Sequence, residues 1–399
     1  MNPIKITAAQ AAALGVDLER LTWLDAFLQR MIDEKKHPFE AFRVWRKNTL
    51  IFSGDYGTQT PNGEPLRADA IYPLQSVTKP VVATCAALLQ EEGHINFFEK
   101  VQDYFPEFEG ENKDRVLLWH LLCHTSGMTP EAQDTYMKEI AGEYNSDTWL
   151  ETFMALRPKL GLPDVEPSED AADEAWSKLA LNAPLDSMPG TEFRYCGYGY
   201  SLIKDIIERV SGKTLEQYAY EKIFEPLGMN DSHWFLPVEK RERYVIRDES
   251  CKGGAGLNSE DLMTSTSPSG GLKATMDDLV RFGLMYFNNG TLYGKRIMAP
   301  ASIRLLTKNH NEGLPDSFWL GRWLGANWGL GWDVKGDKID DLGMLHSASS
   351  YNHGGYGGAR LFIDPEYDLA VSCYICEQRA NSAYDDMNFA VDILYGALD

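Results

Sequence analysis

Residues 76–93 read SVTKPVVATCAALLQEEG, an almost wholly apolar run with a serine and a lysine at its start. The run predicts a buried helix that ends near Gly93. Burial of Lys79 in such a helix costs free energy unless its amine enters a polar site. Ser76 and Lys79 are three residues apart, so on a helix they project from the same face and can touch. The stretch therefore predicts a central helix with a polar site at its N-terminal end.

A serine beside a lysine at a helix start is a candidate pair of nucleophile and base. The free amides and the positive end of the helix dipole favour a developing serine oxyanion. The same positive potential lowers the pKa of Lys79, and a neutral lysine can accept the proton of Ser76. Pro80 fits the first turn because an amide there has no acceptor within the helix. From these residues alone, a catalytic and a structural role both stay open.

The same spacing recurs at Ser201 and Lys204. Apolar residues at three- and four-residue spacing form the buried stripe of that helix, which leaves Ser201 and Lys204 on its polar face, one turn from Glu208. This second match predicts a solvated helix face. The serine–lysine spacing is therefore weak evidence by itself, and the surrounding residues separate the two sites.

Strand patterns lie at both ends of the chain. Residues 41–47 and 49–57 read as a hairpin, and three further β-like runs, WGLGWDV, ARLFIDP and LAVSCYICE, follow residue 327. Apolar spacing predicts terminal helices over residues 17–34 and 383–396. The economical arrangement is one antiparallel sheet built from both ends of the chain and flanked by the terminal helices.

Helical patterns dominate the middle of the chain. They include the apolar run after Ser76 and a capping box from Thr214 to Gln217. We expect residues 1–76 and 265–399 to form an α/β domain with the antiparallel sheet. Residues 77–264 are then an inserted, mostly helical domain, with the active site at the interface.

Composition and charge restrict the partners. The chain has 399 residues, 44% of them hydrophobic and 24% charged, as in soluble globular proteins. Its net charge of −21 repels phosphate backbones and anionic lipid surfaces, so we expect no nucleic acid and no membrane partner. The start of the chain lacks the pattern of a signal peptide, which favours a cytoplasmic location. The oligomeric state stays unknown.

Cysteine and histidine spacings raise two further candidates. The six cysteines are spread through the chain, so reduced thiols are expected rather than disulfides. Cys373 and Cys376 have redox or zinc spacing, but they lie in a β-rich run that predicts core packing. His120 and His124 are four residues apart, yet no glutamate follows His120 and no third ligand is evident. We expect His124 to be structural, with no metal and no cofactor.

Several motifs extend the reading beyond the serine and lysine. They are LLCHTSGM at 121–128, PGTEFRYCGYGY at 189–200, IFEPLGMND at 223–231 and YNHGG at 351–355. In order and spacing the set resembles the serine β-lactamase-like family, and within it the class C branch. That branch includes penicillin-binding-protein-like esterases, family VIII-type carboxylesterases, D-amino-acid peptidases and acyltransferases. The resemblance implies an α/β sandwich with an antiparallel sheet plus a helical domain, with the site between them.

The resemblance also assigns roles. It implies that Ser76 is the acyl-accepting nucleophile, that Lys79 is its proton partner, and that Tyr195 is the general base of the family's Tyr-x-Asn box. Tyr195 works best as a phenolate or a strongly hydrogen-bonded phenol, which the positive charge of Lys79 favours. The alternative is that Tyr195 is one packing residue of an aromatic run. We interpret Tyr198 and Tyr200 as packing residues.

The run at residues 353–355 aligns with the family's Lys-Thr-Gly strand at the edge of the site. By this alignment His353, Gly354 and Gly355 bind substrate, and the glycines let it approach the backbone. The amides of Ser76 and Tyr356 would form the oxyanion hole. The alternative is a plain glycine-rich turn.

Two positions depart from the family pattern. Gly197, which the resemblance also places among the substrate-binding residues, stands where the box usually has Asn, so the side-chain amide that contacts the lysine and an amide substrate is absent. His353 replaces the lysine that pairs with a substrate carboxylate, and a histidine is only partly charged at neutral pH. Both changes favour ester chemistry over lactam or peptide chemistry.

The sequence thus predicts a serine hydrolase that acts on small to medium carboxylic esters through an acyl-enzyme on Ser76. An acyltransferase, or an amidase, D-aminopeptidase or β-lactamase that uses the same acyl-enzyme, is one alternative. A non-catalytic binding or scaffold member of the family is another. Four tryptophans in the C-terminal half either line an apolar pocket or pack a core or lid: Trp319, Trp323, Trp328 and Trp332.

Overall fold

A computed structural model describes residues 2–145, 148–315, 325–340, 342–378 and 383–399. The strands are β1 (Phe39–Arg46), β2 (Thr49–Gly57), β3 (Tyr72–Pro73), β4 (Lys273–Ala274), β5 (Thr291–Leu292), β6 (Lys295–Arg296), β7 (Asp333–Val334), β8 (Tyr351–Gly355), β9 (Ala359–Asp364) and β10 (Leu369–Ile375). Six of them form one antiparallel sheet in the order β2-β1-β10-β9-β8-β7. The sheet therefore joins the N-terminal hairpin to the C-terminal strands, as predicted.

Helices cover the sheet and fill the middle of the chain. They are α1 (Ala8–Leu14), α2 (Leu18–Asp33), α3 (Thr78–Glu91), α4 (Val101–Tyr104), α5 (Leu118–Leu122), α6 (Pro130–Ala141), α7 (Trp149–Leu156), α8 (Glu169–Ala180), α9 (Tyr198–Ser211), α10 (Leu215–Ala219), α11 (Glu225–Leu227), α12 (Gly254–Asn258), α13 (Glu260–Thr264), α14 (Met276–Phe287), α15 (Pro300–Thr307) and α16 (Ala383–Gly396). The fold class is α/β, with a mostly helical insertion from α3 to α13. The exact domain boundaries stay a prediction.

Alternation along β1 divides the core between the two faces of the sheet. Phe42 and Val44 join the cluster under α2 and α16, whereas Phe39 and Ala41 join the larger cluster that contains α3, α9 and α14. Successive residues of a strand point to opposite faces, so both faces of this sheet are covered by helices.

Helix α3 is the centre of the helical region. Every residue from Thr78 to Leu89 is buried, and the helix packs against α9 and α15. The predicted capping box at Thr214 is present: the amides of Thr214 and Gln217 each donate to the other residue's side chain at 3.2 Å. Local sequence signals therefore placed these helix starts correctly.

The β-like run at residues 328–334 is mostly not a strand. Only β7, which has two residues, pairs with β8. Glycine explains the difference: Gly331 has a φ of +85°, and a Cβ at Gly329 would lie 2.2 Å from the carbonyl oxygen of Leu306. The chain bends here and packs closely against a neighbouring backbone, which an extended strand would not allow.

Candidate active site

A tight turn presents Ser76 at the start of α3. Residues 75–77 form one turn of 3₁₀ helix, and Gln75 has a φ of +49°, in the left-handed region that non-glycine residues rarely adopt. The hydroxyl of Thr78 donates to the carbonyl oxygen of Gln75 at 2.6 Å and accepts from the amide of Leu272 at 3.0 Å. Strained backbone of this kind persists only where its surroundings fix it, and it concentrates at functional sites.

Lys79 is buried beside Ser76. Its Nζ donates to Ser76 Oγ at 3.1 Å and to the carbonyl oxygen of Ser269 at 2.8 Å. Burial lowers the pKa of Lys79 to about 7, because a low-dielectric site disfavours the charged amine. A substantial fraction of Lys79 is therefore neutral near pH 7, and a neutral amine at this distance can accept a proton from a hydroxyl.

The ring of Tyr195 lies close to the amine of Lys79. Lys79 Nζ lies 4.8 Å from the centre of the Tyr195 ring and 5.6 Å from that of Tyr200. Tyr200 is itself buried, and its hydroxyl donates to the carbonyl oxygen of Leu122 at 3.0 Å. The tertiary structure thus brings together the three residues predicted to be catalytic, although Tyr195 is distant from Ser76 in sequence.

His124 supports Tyr195 directly. The two ring centres are 4.3 Å apart with their planes 33° apart, and His124 Nδ1 accepts a hydrogen bond from the amide of Cys196 at 3.2 Å. The carbonyl oxygen of His124 accepts from the amide of Arg194 at 2.9 Å. The sequence predicted only a structural residue here, yet His124 fixes both the ring of Tyr195 and the backbone on either side of it. Its place in the quoted HTSG run was the available signal.

His353 is buried behind Tyr195. The ring centres of His353 and Tyr195 are 6.4 Å apart, and His353 Nδ1 donates to the carbonyl oxygen of Gly354 at 2.8 Å. Burial, followed by the charge of Lys79, lowers the pKa of His353 to about 3. The sequence predicted a partly charged residue, whereas this ring is neutral at pH 7.

The end of β8 lies against the turn that carries Ser76. A Cβ on Gly355 would lie 2.1 Å from the carbonyl oxygen of Leu74, so only glycine fits there without a backbone shift. Gly355 therefore lets the backbone of the turn before Ser76 approach β8 closely. The next residue, Tyr356, has a half-exposed side chain. The oxyanion role of the amides of Ser76 and Tyr356 stays a prediction.

A cleft of about 410 Å³ opens over Ser76. Its lining residues are Gln75, Ser76, Lys79, Pro130, Tyr195, Gly197, Leu262, Ser265, Ser267, Ser269 and Gly270. Among the described residues, Lys79 is the only charged one in this lining. His353, Gly354 and Gly355 are not part of it, and the two glycines border a separate cavity of about 20 Å³. Substrate contact by these three residues stays a prediction.

Comparisons with known proteins agree on one family. The beta-lactamase family model matches residues 24–393. The chain belongs to the beta-lactamase family. Known members of this family are serine hydrolases, among them esterases, β-lactamases and carboxypeptidases. The family assignment covers most of the chain, including both the sheet and the helical insertion.

Individual relatives are distant. A Salmonella newport protein, provisionally named a D-alanyl-D-alanine carboxypeptidase, is 24% identical over 92% of this chain and 84% of its own. A solved family VIII carboxylesterase has a TM-score of 0.74 at 20% identity, over 96% of this chain and 99% of its own. EstCE1, described as a hydrolase with promiscuous acyltransferase activity, has a TM-score of 0.71 at 19% identity, over 95% and 99%. The two solved structures confirm the β-lactamase and penicillin-binding-protein-like fold.

Within this family fold, Gly197 leaves room that Ser269 partly fills. A Cβ on Gly197 would lie 3.3 Å from Ser269 Oγ. Gly197 has a φ of −70°, which any residue adopts, so the backbone does not require glycine here. The carbonyl oxygen of Ser269, from a loop distant in sequence, binds the amine of Lys79. The sequence offered no signal for this contact.

The second serine–lysine pair lies in a different place. Ser201 and Lys204 line a cavity of about 800 Å³, and Lys204 Nζ donates to Thr266 Oγ1 at 3.3 Å. Both residues are half-buried, so the predicted polar helix face lines an open cavity. Ser267 lines this cavity as well as the cleft over Ser76. The loop that contains it separates the two spaces.

Two of the four predicted tryptophans pack in the core. Trp332 packs against Tyr286 with ring centres 4.8 Å apart, and Trp328 lies 5.8 Å from Tyr195. Trp319 and Trp323 lie outside the described residues. Among the described residues, no group of three or more metal-ligating side chains occurs. In the same residues, no helix has the length and apolar character to cross a membrane.

Proposed function

We propose that this chain hydrolyses small to medium, uncharged carboxylic esters through an acyl-enzyme on Ser76. The observation that carries the proposal is the buried contact of 3.1 Å between Lys79 Nζ and Ser76 Oγ. A base with a pKa of about 7 is matched to proton transfer near neutral pH. A lysine with a purely structural role does not need a pKa near neutrality.

The proposed acylation step transfers one proton, in net terms, from Ser76 to the leaving alcohol. Lys79 accepts the hydroxyl proton of Ser76 while Ser76 Oγ bonds to the ester carbonyl carbon. The tetrahedral intermediate collapses as the bond to the alcohol oxygen breaks, and that oxygen takes a proton from Tyr195. The proton on Lys79 then passes to Tyr195 and restores both groups. This path uses the short distances from Lys79 Nζ to Ser76 Oγ, 3.1 Å, and to the Tyr195 ring centre, 4.8 Å.

Deacylation repeats these transfers with water. Water bonds to the acyl carbon and gives a proton to the Lys79–Tyr195 pair, and the pair returns a proton to Ser76 Oγ as the acyl bond breaks. The products are one carboxylic acid and one alcohol. An acceptor alcohol in place of water would give a new ester, so acyl transfer differs only in the second nucleophile.

Charge favours an uncharged ester over a β-lactam or a peptide. Those substrates have a carboxylate next to the reacting group, and a cation in the site would bind it. His353 is neutral at pH 7, and of the cleft-lining residues that the structure describes only Lys79 can carry a charge. Gly197 also lacks a side-chain amide to bind a substrate amide. Both features support ester chemistry.

The test uses p-nitrophenyl acetate, p-nitrophenyl butyrate and a chromogenic cephalosporin with three proteins: wild type, Ser76→Ala and Ser201→Ala. We expect wild type and Ser201→Ala to turn over the esters faster than the cephalosporin and to gain the mass of one serine-reactive phosphonate. Ser76→Ala should do neither. Because Ser201 has the same spacing to a lysine, it is a matched control.

Other outcomes favour other readings. Faster cephalosporin turnover would indicate a β-lactamase. New esters formed with added methanol, at the expense of free acid, would indicate an acyltransferase. If folded wild type neither turns over a substrate nor takes up phosphonate, the catalytic proposal is wrong and the scaffold alternative remains.

A further inference from the structure

Two cysteines that are far apart in sequence, Cys251 and Cys376, meet at the end of β10. The thiols of Cys251 and Cys376 are hydrogen-bonded to each other, and both residues are buried. The backbones run alongside each other: Cys251 forms a β-bridge with Gln378, and the amide of Lys252 donates to the carbonyl oxygen of Glu377 at 2.8 Å. The pairing partner of Cys376 is therefore Cys251 and not Cys373, its neighbour in the CxxC spacing.

The surroundings favour a thiolate on Cys251. The hydrogen bond from Cys376, together with the positive charge of Arg247, lowers the pKa of Cys251 to about 7. Burial and the same hydrogen bond raise the pKa of Cys376. The two shifts are opposite in direction, so Cys251 ionises before Cys376, which stays the donor. A thiolate beside a thiol is the arrangement in which oxidation ends in a disulfide.

The pair is coupled to the turn after β8. Lys252 Nζ lies 2.7 Å from Glu377 Oε2 and 5.0 Å from the centre of the Tyr356 ring. A Cβ on Gly253 would lie 3.0 Å from Tyr356 Cε1. Arg247 packs against the same turn, where a Cβ on Gly357 would lie 2.5 Å from its NH1. These contacts join the loop that contains Cys251 to the side chain of Tyr356 and to Gly357.

We propose that Cys251 and Cys376 form an oxidisable dithiol, whose reagent is hydrogen peroxide and whose disulfide displaces the Tyr356 turn. The Cys251 thiolate bonds to one peroxide oxygen, the O–O bond breaks, and the departing hydroxide takes a proton to become water. The Cys376 sulfur then bonds to the sulfenic sulfur of Cys251, and the S–O bond breaks to release a second water. In sum, two thiols and one peroxide give one disulfide and two waters.

The disulfide requires movement because its bond length is about 2.05 Å, shorter than any thiol–thiol hydrogen bond. Cys376 directly follows β10, so it is held by the sheet. Cys251 follows three exposed loop residues, 248–250. The loop is the part that shifts, and Lys252 and Gly253 shift with it. The inference about the disulfide is independent of the proposed function, whereas its effect on turnover rests on that function.

The experiment treats wild type, Cys251→Ala, Cys376→Ala and Cys373→Ala with hydrogen peroxide in slight excess. Cys373→Ala is the matched control. Cys373 is buried on β10, three residues before Cys376, and contacts Met387 Sδ rather than Cys251. We expect wild type and Cys373→Ala to lose two hydrogens in mass and to give a linked Cys251–Cys376 peptide. Dithiothreitol should reverse the change. The other two variants should give no such link.

Two readouts then follow the turn. Amide hydrogen exchange in the peptide over residues 351–359 should rise on oxidation in wild type and stay constant in Cys251→Ala. Ester turnover should fall by about tenfold or more, as expected for a displaced oxyanion donor. Absence of the Cys251–Cys376 link in folded wild type overturns the proposal. A link with unchanged exchange overturns the coupling to the turn, whether or not the chain is an esterase.

Discussion

The carbonyl oxygen of Ser269 accepts a hydrogen bond of 2.8 Å from the amine of Lys79, 190 residues earlier in the chain. This contact holds the amine against Ser76, and no carboxylate lines the cleft in the part of the chain that the structure describes. The amine is therefore bound by a dipole and not by a charge, which leaves burial free to lower its pKa. The proposed base depends on this arrangement.

Turnover should rise with pH through about 7. The pKa of Lys79 is lowered to about 7, and the base acts only when neutral, so the active fraction grows as pH increases past that value. The measurement is kcat/KM for p-nitrophenyl acetate from pH 5 to pH 9, corrected for buffer hydrolysis. Lys79→Arg should remove this limb and lower kcat by about 10²-fold or more, because arginine stays protonated. A wild-type profile flat between pH 6 and pH 8 would contradict the assignment of Lys79.

His124→Ala should lower kcat by about 10- to 100-fold while KM changes little, because Tyr195 loses the ring that it packs against and its positioning relaxes. His94→Ala is the control, since His94 is exposed and its ring lies 3.8 Å from Glu92 on the surface. Steady-state kinetics with both variants, together with thermal melting, separate positioning from stability. An unchanged kcat in folded His124→Ala would show that Tyr195 needs no such support.

Gly355→Ala should both destabilise the fold and impair turnover. The added Cβ would lie 2.1 Å from the carbonyl oxygen of Leu74, so the turn before Ser76 must shift. We expect a loss of about 2 kcal/mol or more in the free energy of unfolding, typical of overpacking against backbone. Gly256→Ala is the control, because nothing lies within 4 Å of its Cβ position. Urea unfolding of both variants checks the difference, and equal stability would refute the steric argument.

Gly197→Asn should shift preference from esters toward amides. The backbone of Gly197 accepts any residue, and among the described residues the new Cβ would contact only the side chain of Ser269, with Oγ at 3.3 Å and Cβ at 3.5 Å. An added amide can bind the carbonyl of an amide substrate. The ratio of p-nitroanilide to p-nitrophenyl ester turnover should rise by about tenfold, roughly one hydrogen bond in free energy. Gly212→Asn, in open space at the end of α9, should leave the ratio unchanged.

Glu40→Gln should stabilise the protein above pH 7. Glu40 is fully buried, both its carboxylate oxygens lack a hydrogen-bond partner among the described residues, and burial followed by the charge of Asp386 raises its pKa. A raised carboxyl pKa favours folding at low pH, and this contribution is lost as pH rises above the unfolded value of 4.5. We expect a gain of about 1–3 kcal/mol at pH 8 and little change at pH 4.

Urea unfolding of Glu40→Gln at both pH values provides the measurement. Glu109→Gln, at an exposed position, should change stability at neither pH. If the Glu40 variant is no more stable than wild type at pH 8, then the carboxyl group is solvated or paired in solution, and the assigned burial is wrong.

The sequence alone determined the features that depend on local spacing. Three-residue spacing on a helix put Ser76 beside Lys79, apolar periodicity gave α2 and α3, and strand patterns at both ends gave one sheet. These features depend on backbone geometry over a few residues, which is the same in every protein. The resemblance then supplied Tyr195, whose own surroundings in the sequence were only an aromatic run.

Only the tertiary structure decided what surrounds these groups. The carbonyl of Ser269, the ring of His124 behind Tyr195 and the pairing of Cys251 with Cys376 all join segments that are distant in sequence. Burial also decided protonation: His353 is neutral and Lys79 is poised near pH 7, because the free energy of a charge depends on how much water and which dipoles surround it. Residue spacing carries no information on that environment, which arises only when the chain packs.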